Sequence, residues 1–489
     1  MITLITAFLL LILGYMLYGA FVERTFGADT NRPTPCKTRF DGVDYIPMPT
    51  WKVFLIQFLN IAGTGPIFGA ILGIMFGPAA YLWIVLGCIF GGAVHDYLAG
   101  MISLRKDGAS LPEIVGDELG SVARIAMRVF SLILMILVGT VFAQTPATLL
   151  SNMTQDWGAM GTATTWTIII FAYYILATLL PIDKLIGKIY PVFGLALLVM
   201  AVGVGFGIFT HDGSLPEITS AFTNHHPSSN MPLFPGICIT IACGAVSGFH
   251  ATQSPMMARC MQNEKYGRPI FYGAMITEGL VALIWAAAAI KFADSLDVAG
   301  NTPYEKLLAA MTVNGKSNPA VIVNAICHSW LGSIGALLAI LGVVAAPITS
   351  GDTALRCARL IAADFMHYKQ NKIYKRLLLS LPIFVICILL MFVDFQVIWR
   401  YFAWVNQSLA VFTLWTISVW LVRQHKCYWI SAVPATWMTM VCSTYIMIAP
   451  EGFQFKPEIS YSIGLIITAS VVALFFYWKT KMNKAVSEA

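Results

Sequence analysis

Long apolar runs recur along most of this 489-residue chain, separated by short polar segments. Each run holds roughly 18 residues or more, about the length that a helix needs to cross the hydrocarbon core of a bilayer. The pattern predicts an all-α polytopic membrane protein, a single membrane domain over 1–489 with about 13 transmembrane helices. The predicted spans are 2–20, 52–76, 79–101, 122–150, 163–181, 188–210, 235–262, 268–291, 330–363, 376–394, 397–421, 427–449 and 459–478.

The first apolar run, 2–20, has two interpretations. A secretory signal peptide would open with a positively charged segment and end at a small-residue cleavage site. This run has no positive segment and no clear cleavage site, and it is long for the apolar core of a signal peptide. We therefore interpret it as a retained, extra N-terminal helix.

Composition narrows the chemistry that the chain can perform. Hydrophobic residues make up 58% of the chain and charged residues 11%, against roughly 25% charged in soluble domains. The ten cysteines form no C-x-x-C pair and no Cys/His spacing typical of zinc sites. A phosphate-binding G-x-x-x-x-G-K-[ST] segment is missing, and so is a G-x-S-x-G nucleophile motif in a plausible context. The sequence predicts no enzyme, no resident cofactor and no firm metal site.

Positive charges are divided unequally between the two sides of the predicted membrane. Of the 30 Lys and Arg residues, 25 fall on the side that holds the 21–52 loop and the C-terminus. Cytoplasmic loops carry the excess of positive charge in membrane proteins. The prediction is therefore an N-terminus outside and a C-terminus in the cytoplasm, and it explains the net charge of +6 without a nucleic-acid partner. The remaining cations, on the predicted outer side, are Lys291, Lys306, Lys316, Arg400 and Lys456.

Two connecting segments have room for short helices. Ser110 and Glu113 have the spacing of a capping box, in which the two side chains satisfy the first backbone N–H groups of a helix. They predict the start of a short cytoplasmic helix on the membrane surface. The 292–329 outer loop is the longest and most polar, with room for a short external helix.

Glycine-rich segments interrupt two of the predicted spans, at 60–66 and at 247–250. Hydrocarbon offers no hydrogen-bond partner, so broken backbone at that depth must be buried in protein or line a polar cavity. Freed N–H groups at a half-helix start suit a carboxylate, and freed carbonyls suit a cation. Close helix packing through small residues is the alternative. Two breaks in corresponding positions favour the substrate site of a secondary transporter.

The predicted spans fall into two sets of five with opposite orientation. The first set covers 52–210 and the second 235–421, each opening with a glycine-interrupted helix, and two accessory helices follow over 427–478. By analogy, this layout resembles the LeuT-like (APC) superfamily, a 5+5 inverted repeat with discontinuous first and sixth core helices.

Five segments of the sequence form recognisable motifs: Asn60-Ile-Ala-Gly-Thr-Gly-Pro-Ile-Phe-Gly69, Gly77-Pro-Ala-Ala80, Gly92-Ala-Val-His-Asp96, Gly108-Ala-Ser-Leu-Pro-Glu-Ile-Val-Gly116 and Ser247-Gly-Phe-His-Ala-Thr-Gln-Ser-Pro255. They resemble the motifs of the carbon starvation protein A (CstA) family. The resemblance implies an inner-membrane uptake system used in starvation, associated with peptides and in some cases with pyruvate coupled to protons. Both substrate types present a carboxylate.

The breaks supply the predicted substrate-binding residues. The first break should offer backbone N–H groups and the Thr64 hydroxyl to a carboxylate. In the second, Ser247 can donate a hydrogen bond, Gly248 allows close approach and Phe249 can act as a lid, although packing is the commoner role of such a side chain. The full predicted set is Ala62, Gly63, Thr64, Gly65, Ser247, Gly248, Phe249 and His250.

A sodium site is one hypothesis for ion coupling. The carbonyl of Ala346 and the hydroxyls of Thr349 and Ser350 resemble a pattern that sodium-coupled LeuT-like proteins offer to Na⁺, a hard cation that prefers oxygen. The alternative is that both hydroxyls bond back to their own helix. Asp352 is either a ligand or a helix-end charge near the cytoplasm.

Protons are the second hypothesis, because ionisable groups within the membrane are costly and usually functional. Glu278 lies near the centre of its predicted helix, and His250 lies beside the second break. His95 and Asp96 either relay protons or form a polar cap near the cytoplasmic end of their helix.

The leading hypothesis is a secondary active importer of a small carboxylate or short peptide, driven by H⁺ or Na⁺. The alternative is a membrane sensor that binds the same ligand without transport. A membrane redox or hydrolytic enzyme ranks well below transport. Lipid is the one other expected partner, and the oligomeric state stays open.

Overall fold

The computed structural model is almost entirely helical. It describes residues 1–42, 44–179, 182–228, 231–313, 316–368, 370, 372–393 and 395–488. The helices are α1 (Ile2–Phe26), α2 (Thr50–Ala62), α3 (Gly65–Phe76), α4 (Ala79–Arg105), α5 (Leu111–Leu119), α6 (Ser121–Met153), α7 (Ala163–Leu179), α8 (Ile182–Thr210), α9 (Leu233–Thr240), α10 (Gly248–Ala258), α11 (Glu264–Ser295), α12 (Pro303–Met311), α13 (Pro319–Ala339), α14 (Ala345–Phe365), α15 (Ile373–Leu390), α16 (Phe395–Arg423), α17 (Trp429–Ile448) and α18 (Pro457–Glu488).

Shorter elements complete the fold. Strands β1 (Thr312–Val313) and β2 (Lys316–Ser317) pair antiparallel, with Thr312 opposite Ser317. A single helical turn forms at Pro35–Thr38, and a π-helical turn at Ile340–Val344 joins α13 to α14.

Among the described residues, ten helices are long and apolar enough to cross a membrane, and the bent pair α2–α3 makes eleven. The chain is therefore a multi-pass membrane protein. The count of thirteen spans and the 5+5 repeat stay predictions. The predicted span 235–262 is not a continuous helix, because it divides into α9 and α10. The span predicted at 330–363 begins at a kink within α13, where Gly332 has φ 60° and ψ −145°, and it continues through the π-helical turn Ile340–Val344 into α14.

Burial separates central helices from peripheral ones. In α4, α11 and α16 more than three quarters of the apolar window is buried inside the protein, whereas in α1, α7, α15 and α18 less than one third is. The exposed apolar side chains of these peripheral helices suit contact with lipid tails, because the lipid-facing surface of a membrane helix is apolar. The broken helices α2–α3 and α9–α10 pack among the central group, so the breaks are enclosed by protein.

The first break lies where the sequence predicts it. Helix α2 ends at Ala62, Gly63 has φ 43° and ψ −137°, and α3 begins at Gly65. A side chain at Gly63 would be strained in that backbone conformation, and Pro66 in the next turn has no N–H to continue the hydrogen-bond ladder of α2. The two halves are bent by 43°.

The second break lies earlier than predicted. Non-helical backbone covers 241–247 and turns at Gly244, with φ 91°, while Gly248, Phe249 and His250 form the first turn of α10. The prediction of a break at 247–250 is thus wrong for all but Ser247. The reason is that Gly248 takes a helical conformation, and its lack of a side chain serves packing instead. A Cβ there would lie 2.3 Å from the carbonyl oxygen of Asn406.

Both predicted short helices are present. The Ser110 N–H donates to Glu113 Oε2 at 3.1 Å, which completes the capping box at the start of α5. This helix packs between α6 and α16 instead of lying free on a membrane surface. Helix α12 forms in the 292–329 segment and is capped in the same way by Thr302 and Glu305.

Candidate functional site

The two breaks meet at the centre of the protein. A Cβ placed on Gly65 would lie 2.3 Å from the Cβ of Cys243, and one on Gly244 would lie 3.8 Å from Pro66. Real Cβ atoms do not approach so closely as 2.3 Å, so glycine at 65 is what lets the start of α3 pack on the second break. The predicted facing of the two breaks is therefore present in the structure.

The first break carries open polar groups. Thr64 is fully buried, and its hydroxyl has no hydrogen-bond partner in the described part of the chain. The same holds for the amide nitrogen of Asn60, one turn earlier. The first N–H groups of α3 also lack partners within their own helix. Because unsatisfied buried polar groups are costly, this concentration favours a place that a polar ligand fills.

The second break is capped by a side chain from another helix. Asn406, in α16, accepts a hydrogen bond from the Phe249 N–H at 2.7 Å, and its carboxamide contacts the Ser247 hydroxyl at 3.1 to 3.2 Å. An amide oxygen that satisfies an early N–H is the interaction of an N-cap. The Ser247 hydroxyl and Phe249 N–H, both expected to face a substrate, are thus engaged by Asn406. The signal for this residue in the sequence was a polar Asn-Gln pair within an apolar span.

Four buried ionisable side chains form a continuous chain beside the second break. His95 Nδ1 lies 2.8 Å from Asp96 Oδ1, and Asp96 Oδ2 lies 2.9 Å from His250 Nδ1. His250 Nε2 in turn lies 3.5 Å from Glu278 Oε2. All four side chains are fully buried. The sequence singled out each of them, and the structure brings them together.

The position of His95 and Asp96 follows from the shape of α4. A π-helical turn, Gly87–Gly92, precedes them, and such turns often occur at functional sites. A Cβ on Gly92 would lie 2.2 Å from the Ala245 carbonyl oxygen, so α4 packs directly on the second break. The helix continues to Arg105, and neither side chain is exposed. A polar cap at the membrane surface does not describe this environment.

The sodium candidates lie on the other side of the first break. Ser350 Oγ donates to the Leu59 carbonyl at 3.1 Å, which links α14 to the end of α2. Thr349 Oγ1 donates to the Ala346 carbonyl of its own helix at 2.8 Å, as the alternative interpretation expected. Each of the two predicted hydroxyls therefore contacts a carbonyl, Thr349 within α14 and Ser350 across to the last turn of α2.

Asp352 lies in a buried cluster around α14, separate from the four side chains His95, Asp96, His250 and Glu278. It accepts a hydrogen bond from the Tyr190 hydroxyl at 2.6 Å, and that hydroxyl also contacts the Thr349 carbonyl at 3.3 Å. Asp352 is fully buried and α14 continues to Phe365, so it is not a helix-end charge. The predicted ion-coupling residues thus divide into a titratable chain and an oxygen-rich cluster around α14.

Phe249 is buried against other aromatic rings. Its ring centroid lies 6.2 Å from that of Phe142 in an edge-to-face arrangement, and Phe142 packs likewise on Phe402. A Cβ on Gly63 would lie 3.0 Å from the Phe142 ring. The aromatic cluster therefore covers the first break, which suits the lid predicted for Phe249 and adds Phe142, which the sequence did not single out.

One group of side chains has the donor types of a transition-metal site. Cys243 Sγ, a nitrogen of His250 and a carboxylate oxygen of Glu278 all lie within 4.8 Å of one another. Thiolate, imidazole and carboxylate together suit zinc or a related divalent ion. His250 Nε2 and Glu278 Oε2 also approach each other at 3.5 Å, an ionic contact without a hydrogen bond, so the same groups serve equally well as neighbouring proton carriers.

The family described as carbon starvation protein CstA matches residues 1–164, 152–318 and 318–445. The chain belongs to this family. An uncharacterized membrane protein of Haemophilus influenzae is 46% identical over 58% of this chain and 88% of its own length. The peptide transporter CstA of Campylobacter jejuni is 25% identical over 91% of this chain and 78% of its own.

A further relative differs in its named substrate. The pyruvate/proton symporter BtsT of Escherichia coli is 29% identical over 60% of this chain, which spans about half (49%) of that longer protein. Among solved structures, a mutant of the Eremococcus coleocola manganese transporter aligns with 90% of this chain and 98% of its own, with a TM-score of 0.53 and 13% identity. That likeness concerns the fold. This protein is therefore a multi-pass membrane protein of the CstA family.

Proposed function

We propose that this protein is a secondary active importer of a small carboxylate-bearing nutrient, a short peptide or pyruvate. It acts in the bacterial cytoplasmic membrane during carbon starvation and uses protons as the coupling ion. The named functions of the relatives, peptide transport and pyruvate/proton symport, support the substrate class.

The observation that carries the proposal is the buried chain His95–Asp96–His250–Glu278. Hydrogen bonds of 2.8 and 2.9 Å join the first three members, and His250 and Glu278 lie 3.5 Å apart in an ionic contact, beside the crossing of the two broken helices. A proton can pass along imidazole and carboxylate groups at these separations. Alternating access then requires that the protonation state of these four side chains and the occupancy of the first break favour the same conformation.

The first break supports a carboxylate as the bound group. It offers the start of α3 and the unpartnered Thr64 hydroxyl, and an anion is stabilised at a helix N-terminus. Ala62, Gly63, Thr64 and Gly65 accordingly remain the proposed substrate residues. At the second break, Gly248 serves packing and Asn406 engages Ser247 and Phe249, so His250 is the group left for coupling.

Sodium is a second candidate coupling ion, because the Ser350 hydroxyl reaches the Leu59 carbonyl. If the Thr349 and Ser350 hydroxyls turned their lone pairs inward, they would face Na⁺ together with the carbonyls of Ala346 and Leu59. A sensor that binds the same ligand without moving it is the alternative function.

Uptake into proteoliposomes tests the proposal. Labelled pyruvate and a labelled dipeptide would be offered separately, under an imposed pH gradient and then under an imposed Na⁺ gradient. We expect accumulation driven by the pH gradient and abolished by a protonophore. Accumulation that follows only the Na⁺ gradient would replace the proton by sodium. Binding of either ligand without flux under any gradient would favour the sensor.

A further inference from the structure

A cavity of about 280 Å³ lies along α3. Phe68, Leu72 and Met75 line it from one face of that helix, since residues three and four apart lie together. Phe68 is in the first turn of α3 after Gly65. The lining therefore begins within one turn of the broken backbone and extends to the end of α3 that leads toward the predicted exterior.

The remaining walls are largely apolar and contain one cation. Trp399 and Arg400 contribute from α16, and Met231 and His226 from the segment between α8 and α9. Burial lowers the pKa of His226, so its ring is neutral at pH 7. Among the lining residues that the structure describes, Arg400 is the positively charged one. An apolar cavity with a single well-placed charge is the usual form of a small-molecule site.

Arg400 is held in place by a buried carboxylate. Its Nε donates to Glu451 Oε2 at 3.1 Å, and the Tyr445 hydroxyl donates to Glu451 Oε1 at 2.7 Å. Glu451 is 2% exposed, whereas Arg400 is 33% exposed. The terminal guanidinium nitrogens have no hydrogen-bond partner among the described residues. Guanidinium donors lie in a fixed fork that matches a carboxylate, so a fixed Nε leaves the outer pair of donors ready for a second anion.

We propose that this cavity is an outer capture site, in which Arg400 binds the carboxylate of an apolar-bodied substrate such as a short peptide before it reaches the first break. This inference rests on the proposed import of a carboxylate. The apolar walls favour a ligand with apolar surface to bury, because that surface leaves water on binding. A dipeptide with an apolar side chain offers such surface, and pyruvate offers only a methyl group.

Equilibrium binding and initial uptake rates of labelled leucyl-leucine test the inference. The main variant is Arg400→Gln with Glu451→Gln, since the double change leaves no unpaired buried carboxylate. We expect the dissociation constant and KM to rise about 10- to 100-fold, as for the loss of a charged hydrogen bond, with kcat nearly unchanged. Leucyl-leucine amide lacks the carboxylate, so its dissociation constant should be the same for the double variant as for the native protein. Lys456→Gln, an exposed cation on the same predicted side, is the matched control.

The outcomes separate this inference from the proposed function. Flux in the native protein with an unchanged KM and dissociation constant in the double variant would overturn the capture site alone. Binding that depends on Arg400 without flux would support the site and overturn import. An equal loss for the amide and the acid would show that the variant damages the fold, and it would overturn the assignment of a carboxylate partner. A loss seen for pyruvate but not for leucyl-leucine would overturn the preference for an apolar body.

Discussion

At the first break the chain leaves the helix for two residues, Gly63 and Thr64, whereas at the second it does so over 241–247. The short break keeps its polar groups open, with the Thr64 hydroxyl unpartnered in the described structure. The long break has its helix start engaged by Asn406 and is flanked by ionisable side chains. Two breaks that look alike in the sequence thus differ in structure. In the proposed function, the first break holds the ligand and the groups beside the second break hold protons.

The largest expected effect tests the assignment of protons to the groups beside the second break. Glu278→Gln should reduce pH-driven uptake on the order of 100-fold, because a neutral amide cannot take up or release the coupled proton. Exchange of labelled for unlabelled substrate should persist, since Gln resembles the protonated acid. Both rates would be measured in the same proteoliposomes.

Glu458→Gln is the matched control for that experiment, because it removes an exposed carboxyl at the start of α18. It should leave both rates near those of the native protein. Uptake by Glu278→Gln that still follows the pH gradient would remove Glu278 from the coupling path and break the assignment of protons to the second break.

The next effect tests the contact between the breaks. Gly65→Ala places a Cβ 2.3 Å from that of Cys243, so the half-helices must move apart. Overpacking of this kind should lower uptake about tenfold or more. Adding Cys243→Gly to the variant removes the opposing Cβ and should restore much of the rate. No recovery in the double variant would mean that the clash is not the cause of the loss.

A smaller effect concerns the cap on the second break. Asn406→Ala should lower the free energy of unfolding by about 1 kcal/mol, as loss of a helix N-cap does, with a lower Tm in detergent. Asn406→Asp keeps the acceptor oxygen for the Phe249 N–H and should lose less. Equal losses in the two variants would show that the amide packs there without capping.

The smallest effect is expected for Ser350 in α14, which contacts the last turn of α2. Ser350→Ala removes one hydrogen bond to the Leu59 carbonyl, worth about 1 kcal/mol, and should change pH-driven uptake only about twofold. Uptake would be compared with and without Na⁺. A complete loss, or a new insensitivity to Na⁺, would assign the coupling ion to Ala346, Thr349 and Ser350 and end the simple division between the breaks.

Local chemistry explains which parts of this architecture could be predicted. Gly63, Gly65 and Pro66 dictate their own backbone, so the first break lies where the sequence places it. The second break was misplaced because a lone glycine, Gly244, forms its turn, while the more prominent Ser-Gly pair opens a helix.

Tertiary packing explains what was missed. His95, Asp96, His250 and Glu278 each stood out as charges within apolar spans, but their order along one chain depends on how three helices pack. The cap Asn406 lies 157 residues from its partner Phe249, and no local pattern connects them. Arg400 was evident only as a cation on the outer side, since Glu451 orients it through the fold.

The close contact between Gly65 and Cys243 also means that access of reagents to the Cys243 thiol depends on how far apart the half-helices are. A thiol that faces the crossing is shielded from reagents while the half-helices touch, and it gains access to them when the helices part. Nine of the ten cysteines are buried, and Cys427 is the exposed one. With Cys427 replaced by serine, the rate at which a small alkylating reagent labels Cys243 would follow the opening of the pathway in real time, without an introduced probe.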